Sequence, residues 1–301
     1  MTASWPLIAY TLCSVIACGT LGVQGVLALG GRGARIQTPG ALLALAFAVI
    51  AAVFACLRVG RLDRVFNVFG HPASPIAQTF IAILALIVVT LVYLVALRRA
   101  EEEGEVPLPV AVLGVLASLF GVYAVAAGDV ATAGVAAKTV LAVALVAASA
   151  ALVGTLVCRA LLALREKEAA TGGLGLAAVA CGVVSGAATV VFSLVAPTLV
   201  RKAVSITTST YGFESAHPTQ ATGGQAAASA VGSVALGDPM FWVVVVAVGV
   251  AVPLVVALLT RKRSGVLAGA LCGLAALCAL AGLAYAMDQY MFTSSVTRLF
   301  G

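Results

Sequence analysis

Charge is what this sequence has least of. Only 9% of its 301 residues are Asp, Glu, Lys or Arg, whereas 62% are hydrophobic. Soluble domains carry about 25% charged residues, so this chain reads as an integral membrane protein. Metal-binding patterns are missing as well. Cys13, Cys18, Cys56, Cys158, Cys181, Cys272 and Cys278 lie inside apolar runs or at their edges, with no CxxC and no Cys/His cluster at ligand spacing. They read as small buried hydrophobes. The two histidines, His71 and His217, each precede a proline in a polar segment. Haem ligation within a helical bundle needs histidines in the spans, which excludes a b-type cytochrome. No Lys/Arg run is interleaved with aromatics, so the formal charge of +6 does not point to nucleic acid. The opening MTASWPLIAYTLCSVIACG lacks the basic start and cleavage pattern of a signal peptide. It reads as a retained first helix, with Trp5 and Pro6 suited to the interface and the first turn.

What is present is a series of apolar runs. A helix needs about 20 apolar residues to cross the hydrocarbon core, which predicts eight spans at roughly 6–29, 39–58, 75–97, 107–127, 135–160, 173–196, 240–260 and 265–287. The expected fold is an all-α transmembrane domain over residues 1–301, arranged as two four-helix halves. A seven-span count requires 107–127 and 135–160 to be misread, and Gly128–Asp129 separates them. Residues 197–239, rich in Ser, Thr and Gly, are predicted to form a long polar outer-face loop.

The short connectors fix the expected orientation. Ten Lys/Arg residues fall in the odd-numbered connectors, Arg159 counted among them, and seven on the opposite side. By the positive-inside rule both termini lie outside. The spans show almost no ionisable residue, with Asp129, Lys138 and Asp288 at their ends, and this argues against an ion-coupled transporter. Glycine, 31 residues in all, is spread as small residues for close helix packing.

One cluster works against the charge rule. LRVGRLDRVFN, residues 57–67, places Arg58, Arg61, Asp63 and Arg64 where the second span leaves the membrane on the outer side. An exposed ion pair there contributes about 0–1 kcal/mol, so one reading is a solvated interfacial loop. A docking surface for a partner is the other, since arginine is enriched at interfaces. A faint echo of GRLDRVF (60–66) occurs at PTLVRKA (197–203), aligning Arg64 with Arg201, next to Lys202.

Two stretches carry a family resemblance. SWPLIAYTL at the start resembles the Trp-Pro-Leu opening, followed by an aromatic and Thr, of the membrane-anchor subunit of dimethyl sulfoxide reductase, a relative of the polysulfide-reductase integral membrane subunits. In LRVGRLDRVFN, Gly60, Arg64, Phe66 and Asn67 match the family's glycine turn, arginine, aromatic and asparagine. The resemblance implies a cofactor-free anchor in the cytoplasmic membrane of a bacterium, used in anaerobic respiration. Its implied partners are an iron–sulfur subunit of ferredoxin type and a molybdopterin catalytic subunit, docked on the side of connectors two and six. Arg61, Asp63, Arg201 and Lys202 are the docking residues expected. Menaquinol would be the substrate, held by Arg58, Arg64, Asn67 and His71, with electrons passing to the iron–sulfur subunit.

The departures from the family pattern shape the chemistry. Arg58 stands where the family commonly has histidine, and guanidinium has five donors and no acceptor. It can hold a quinol oxygen but cannot be the base. A family carboxylate early in the third span has no counterpart in SPIAQTFIAIL. His71 is then the expected proton acceptor, with Asp63, Glu214 or water as alternatives. An anchor without quinol oxidation and a small-solute transporter are the rival functions.

Overall fold

The computed structural model describes residues 5–31, 33–59, 74–103, 106–130, 136–165, 172–210, 239–261, 263 and 265–300. At several helix ends, including 58–59, 129–130, 136–139, 196–210 and 289–300, the backbone alone is described. Among the described residues there are eight helices long and apolar enough to cross a membrane, and no strand. They are α1 (Trp5–Leu29), α2 (Ala34–Val59), α3 (Pro75–Glu103), α4 (Leu108–Val130), α5 (Ala136–Arg165), α6 (Gly172–Thr210), α7 (Phe241–Thr260) and α8 (Val266–Phe300). The expected spans are all present, and α4 and α5 are separate helices, so the seven-span count falls.

Two helices outrun the expected spans by more than ten residues. α6 has 39 residues and continues to Thr210, through the first part of the segment expected to be loop from 197. Leu199, Val200, Ala203 and Val204 recur at helical spacing there, and Pro197 does not break the backbone run. A proline is tolerated in such a helix where neighbours satisfy the freed carbonyl. The rest of that segment, 211–238, lies outside the described residues. α8 has 35 residues, about 52 Å at 1.5 Å per residue, and so extends well past the ~30 Å hydrocarbon core.

Burial is inverted relative to a soluble bundle. α2 buries Ala41, Ala44, Ala48, Ala51 and Ala55, a stripe alternating in steps of three and four, and presents Leu42, Val49, Ile50, Val53 and Leu57 outward. In lipid no hydrophobic gain comes from hiding leucine, so small residues go where backbones must approach closely. The turn between α1 and α2 is equally economical in side chains. Gly31 has φ 63° and Gly33 φ 77°, and the Gly31 N–H donates to Ala28 O at 3.0 Å. That left-handed cap reverses the chain at once and lays α2 along α1.

α1 packs on α2, α4 and α5, and α5 packs on α4, α6 and α8 as well, so these two helices form the inner pair. Their contact is backbone on backbone. A Cβ on Gly19 would overlap the Ala150 carbonyl and approach the Gly154 nitrogen to 3.2 Å, and a Cβ on Gly154 would overlap the Gly19 carbonyl. Gly249 of α7 and Gly282 of α8 repeat the device, since a Cβ on Gly282 would lie 2.5 Å from the Gly249 Cα. α7 itself is wound as a π-helix over Phe241–Ala251 and as an α-helix over Val252–Thr260. The change falls beside Pro253, which has no N–H to give to either ladder.

Gly19→Val is expected to lower stability in detergent by about 1–3 kcal/mol or more, because the inner pair cannot separate without losing its other contacts. Gly273→Ala is the control, since a Cβ there meets nothing within 4 Å. It should be neutral, or stabilise by up to about 1 kcal/mol through helix propensity. Thermal unfolding of the two variants checks the contrast.

Candidate functional site

The residues expected from sequence to form the outer site lie largely outside what the structure describes. Arg61, Asp63, Arg64, Asn67 and His71 fall outside the described residues. Arg58 sits in the last turn of α2, and Arg201 and Lys202 in the extension of α6, with the backbone alone described. One contact at this end is defined. The Trp5 ring stacks edge-on against Phe54, centroids 5.9 Å apart and planes at 85°. Trp5 belongs to SWPLIAYTL, and Phe54 lies one turn before Arg58. The two stretches singled out in the sequence therefore begin from the same end of the α1–α2 pair.

The described residues hold a different polar centre, which the sequence reading missed. Arg159 was expected in the α5–α6 connector. It is instead inside α5 and fully buried. α5 continues apolar through Leu164 before reaching Arg165, six residues and about 9 Å further on. A lone arginine flanked on both sides by apolar turns was the available signal. Moving it out of the connector trims the charge bias from ten against seven to nine against seven.

Its position has a physical logic. Arg159 Nη2 donates to Thr260 O, in the last turn of α7. The final carbonyls of a helix have no partner within it and carry the negative end of its dipole. The guanidinium therefore caps α7 from a neighbouring helix. Thr260 Oγ1 donates to Val256 O at 2.6 Å and lies 3.5 Å from Cys272 Sγ on α8. With the hydroxyl hydrogen already used, the thiol is the donor in that second contact. Gly175, in the first turn of α6, makes room for the head group: a Cβ there would stand 2.8 Å from Arg159 Nη1 and 2.9 Å from Arg261 O. Nε and Nη1 of Arg159 have no hydrogen-bond partner among the described residues. A buried cation costs several kcal/mol in a membrane interior, and arginines there mark function more often than packing.

Nearby, on the same end of the bundle, a buried amide network ties α1, α2 and α3 together. Gln24 Nε2 donates to Ile36 O at 3.1 Å and Gln37 O at 3.2 Å, while Gln37 Nε2 donates to Gln24 O at 3.4 Å. Tyr93 Oη donates to Gln37 Oε1 at 2.7 Å. Gly40 is required here, because any Cβ would overlap the Gln24 amide. Gln24 Oε1 alone keeps no partner among the described residues. Among those residues, no three of His, Cys, Asp and Glu come together in a way that would hold a metal ion.

An apolar groove of about 1010 Å³ completes this region. α1 and α5 form its floor, while α4 contributes Val115 and Leu119 and α6 contributes Leu174 and Ala177. Its few hydroxyls are occupied, Ser118 Oγ on Cys18 O at 2.6 Å and Thr155 Oγ1 on Leu152 O at 2.8 Å. Arg159 lies between Thr155 and Leu162, which both line the groove.

Comparison with known proteins identifies no relative: no family pattern, no curated protein and no solved structure matches this chain.

Gly175→Ala is expected to lower stability by about 1–3 kcal/mol through overpacking. In an Arg159→Ala background that penalty should shrink by at least about 0.5 kcal/mol, the coupling of residues in contact. Equal penalties in both backgrounds would mean that the guanidinium does not lie against α6. Tyr93→Phe leaves Gln37 Oε1 unpaired and is expected to lower stability by about 1–3 kcal/mol, read as a drop in the unfolding midpoint in detergent.

Proposed function

We propose that this chain is the membrane-anchor subunit of a molybdopterin oxidoreductase complex, in the cytoplasmic membrane of a bacterium. In this reading it docks an iron–sulfur subunit and binds menaquinol. The observation that carries the proposal is the convergence at one end of α1 and α2. Trp5 of the Trp-Pro-Leu opening packs on Phe54, three residues before the arginine-rich stretch, so the two features that resemble the dimethyl sulfoxide reductase anchor start from that end. The eight-helix architecture supports the same reading. So does the contact pattern, in which α1 and α5 would be the first helices of two four-helix halves.

The chemistry assigned to the site follows from residue types. Arg58, Arg64 and Asn67 hold the quinol head group, with Arg58 donating to a quinol oxygen. His71 takes one of the two protons released, since neutral imidazole is both acceptor and shuttle near neutral pH, and water at the outer surface takes the other. Two electrons leave for the iron–sulfur subunit, which sits on Arg61, Asp63, Arg201 and Lys202 at the outer face, the face on which both termini lie. The molybdopterin subunit joins through it and determines the terminal acceptor.

A second reading draws on Arg159. Transporters carry buried ionisable groups near interrupted helices, and here a buried arginine caps α7, whose first half is π-wound. Movement of a small anionic solute by the chain alone in proteoliposomes would favour this reading over the anchor.

Under mild detergent, the chain purified from its native host should bring with it iron–sulfur and molybdopterin subunits. Purification without either sinks the anchor reading. In the assembled complex, His71→Ala should slow quinol-dependent reduction by roughly a hundredfold or more while leaving dye-dependent reduction near its original rate. Equal loss in both assays contradicts the role given to His71.

A further inference from the structure

The apolar groove has no part in the proposed quinol site, which lies at the other end of the bundle. Its length is the first clue to what fills it. Along α1 it runs from Gly19, near the middle of the span, to Gly30 at the end. Eleven residues at 1.5 Å each make about 16 Å, which matches half of the ~30 Å hydrocarbon core. The groove therefore serves a single leaflet. It opens sideways, for the lining residues Val26 and Leu119 are each 59% exposed.

Polarity is the second clue. Inside the groove Ser118 and Thr155 spend their hydroxyls on backbone carbonyls, so a ring bearing oxygens finds little to bind there. Cationic and donor groups gather at the mouth instead. Arg165, one turn beyond the lining residue Leu162, reaches across to donate from Nη1 to Arg35 O at 3.4 Å, and both arginines are exposed. The first turn of α6 starts beside them at Gly172, with N–H groups that no helical carbonyl accepts. The fully buried Arg159 stands on the other face of that turn, against Gly175 and Arg261 O, and does not line the groove. Among the described carboxylates only Asp288 has its side chain defined, and it lies at the far end of the α8 span. The α5–α6 connection adds Glu166, Lys167 and Glu168, outside the described residues.

From this we infer that the groove is the seat of one anionic phospholipid. An acyl chain lies along the α1–α5 floor to the mid-plane, and the phosphate faces Arg35, Arg165 and the first turn of α6. The lipid supplies the volume that the small residues of the floor leave empty. A basic pocket between helices at a membrane surface is the form that head-group recognition takes. This assignment does not depend on the anchor reading.

The test uses the full chain, with any partners it retains, in nanodiscs made from equal parts of phosphatidylglycerol and phosphatidylcholine. Native mass spectrometry should find about one phosphatidylglycerol retained per chain after delipidation. Arg35→Ala with Arg165→Ala should reduce that occupancy roughly thirtyfold, the loss expected for two cations near an anionic head group. Arg99→Ala, an exposed cation away from the groove, should leave it unchanged. Ala151→Phe, which fills the floor, should abolish retention. If Ala151→Phe does not fold, added phosphatidylglycerol should still raise the melting temperature of the wild type and not of the double arginine variant. Equal retention of phosphatidylcholine, a quinone or a second protein helix in the groove, or undiminished binding in the arginine variant would overturn the assignment.

Discussion

The contact of Gly19 on α1 with Ala150 and Gly154 on α5 is the constraint on which the rest of this bundle depends. Two helices in lipid gain nothing from hiding apolar side chains, so they are held by dispersion over a close backbone approach. With both helices pressed together at mid-span, α2 and α4 are left to flank α1, and α6 and α8 to flank α5. Small residues on the floor then leave the space between α4 and α6 unfilled. The groove is thus a consequence of the same glycine and alanine usage that joins the inner pair.

That geometry also explains how an arginine can sit inside the bundle. Arg159 is on the inner helix α5, close to the end of α7, where Thr260 O accepts from the guanidinium and from Arg263 N–H just past the helix. The helix end does what a carboxylate does elsewhere, offering negative potential without a formal charge. Gly175 supplies the room, and Cys272 and Thr260 close the surroundings. The Gln24–Gln37–Tyr93 network at the same end pins α1, α2 and α3 through amides that donate to backbone carbonyls and a phenol that donates to Gln37 Oε1. One end of the molecule is therefore rigidly cross-linked by polar side chains. The other end carries the arginine-rich exit of α2 and the long polar connection after α6.

The number and placement of the spans were legible in the sequence, because eight uninterrupted apolar runs leave few alternatives once lipid is the solvent. Helix ends were less so. Residues 197–210 look polar by composition, yet the backbone of α6 stays helical to Thr210. Arg159 was misassigned because a charge near a span end is indistinguishable, by composition, from a charge in a connector. Only the packing of α6, α7 and α8 around it makes it interior. The glutamine network was hidden for a similar reason: Gln24 and Gln37 are thirteen residues apart and meet only because Gly31 and Gly33 turn the chain between them. Faces of the helices could not be predicted at all, since leucine outward and alanine inward leaves almost no amphipathic signal. Arg58, Arg61, Asp63, Arg64, Asn67, His71, Arg201 and Lys202 were named from a charge cluster, its faint echo and a resemblance, and the described residues do not define how their side chains stand.

The central claim is that the α2 exit and the connection after α6 form the docking face of an electron-transfer anchor. An electron cryomicroscopy map of the protein purified from its native membrane tests it most directly. The account predicts an iron–sulfur protein seated on the face that holds the α2–α3 and α6–α7 connections, with its nearest cluster over Arg58 and His71. A partner seated on the opposite face, beside Arg35 and Arg165, or a map of the chain standing alone, would contradict it.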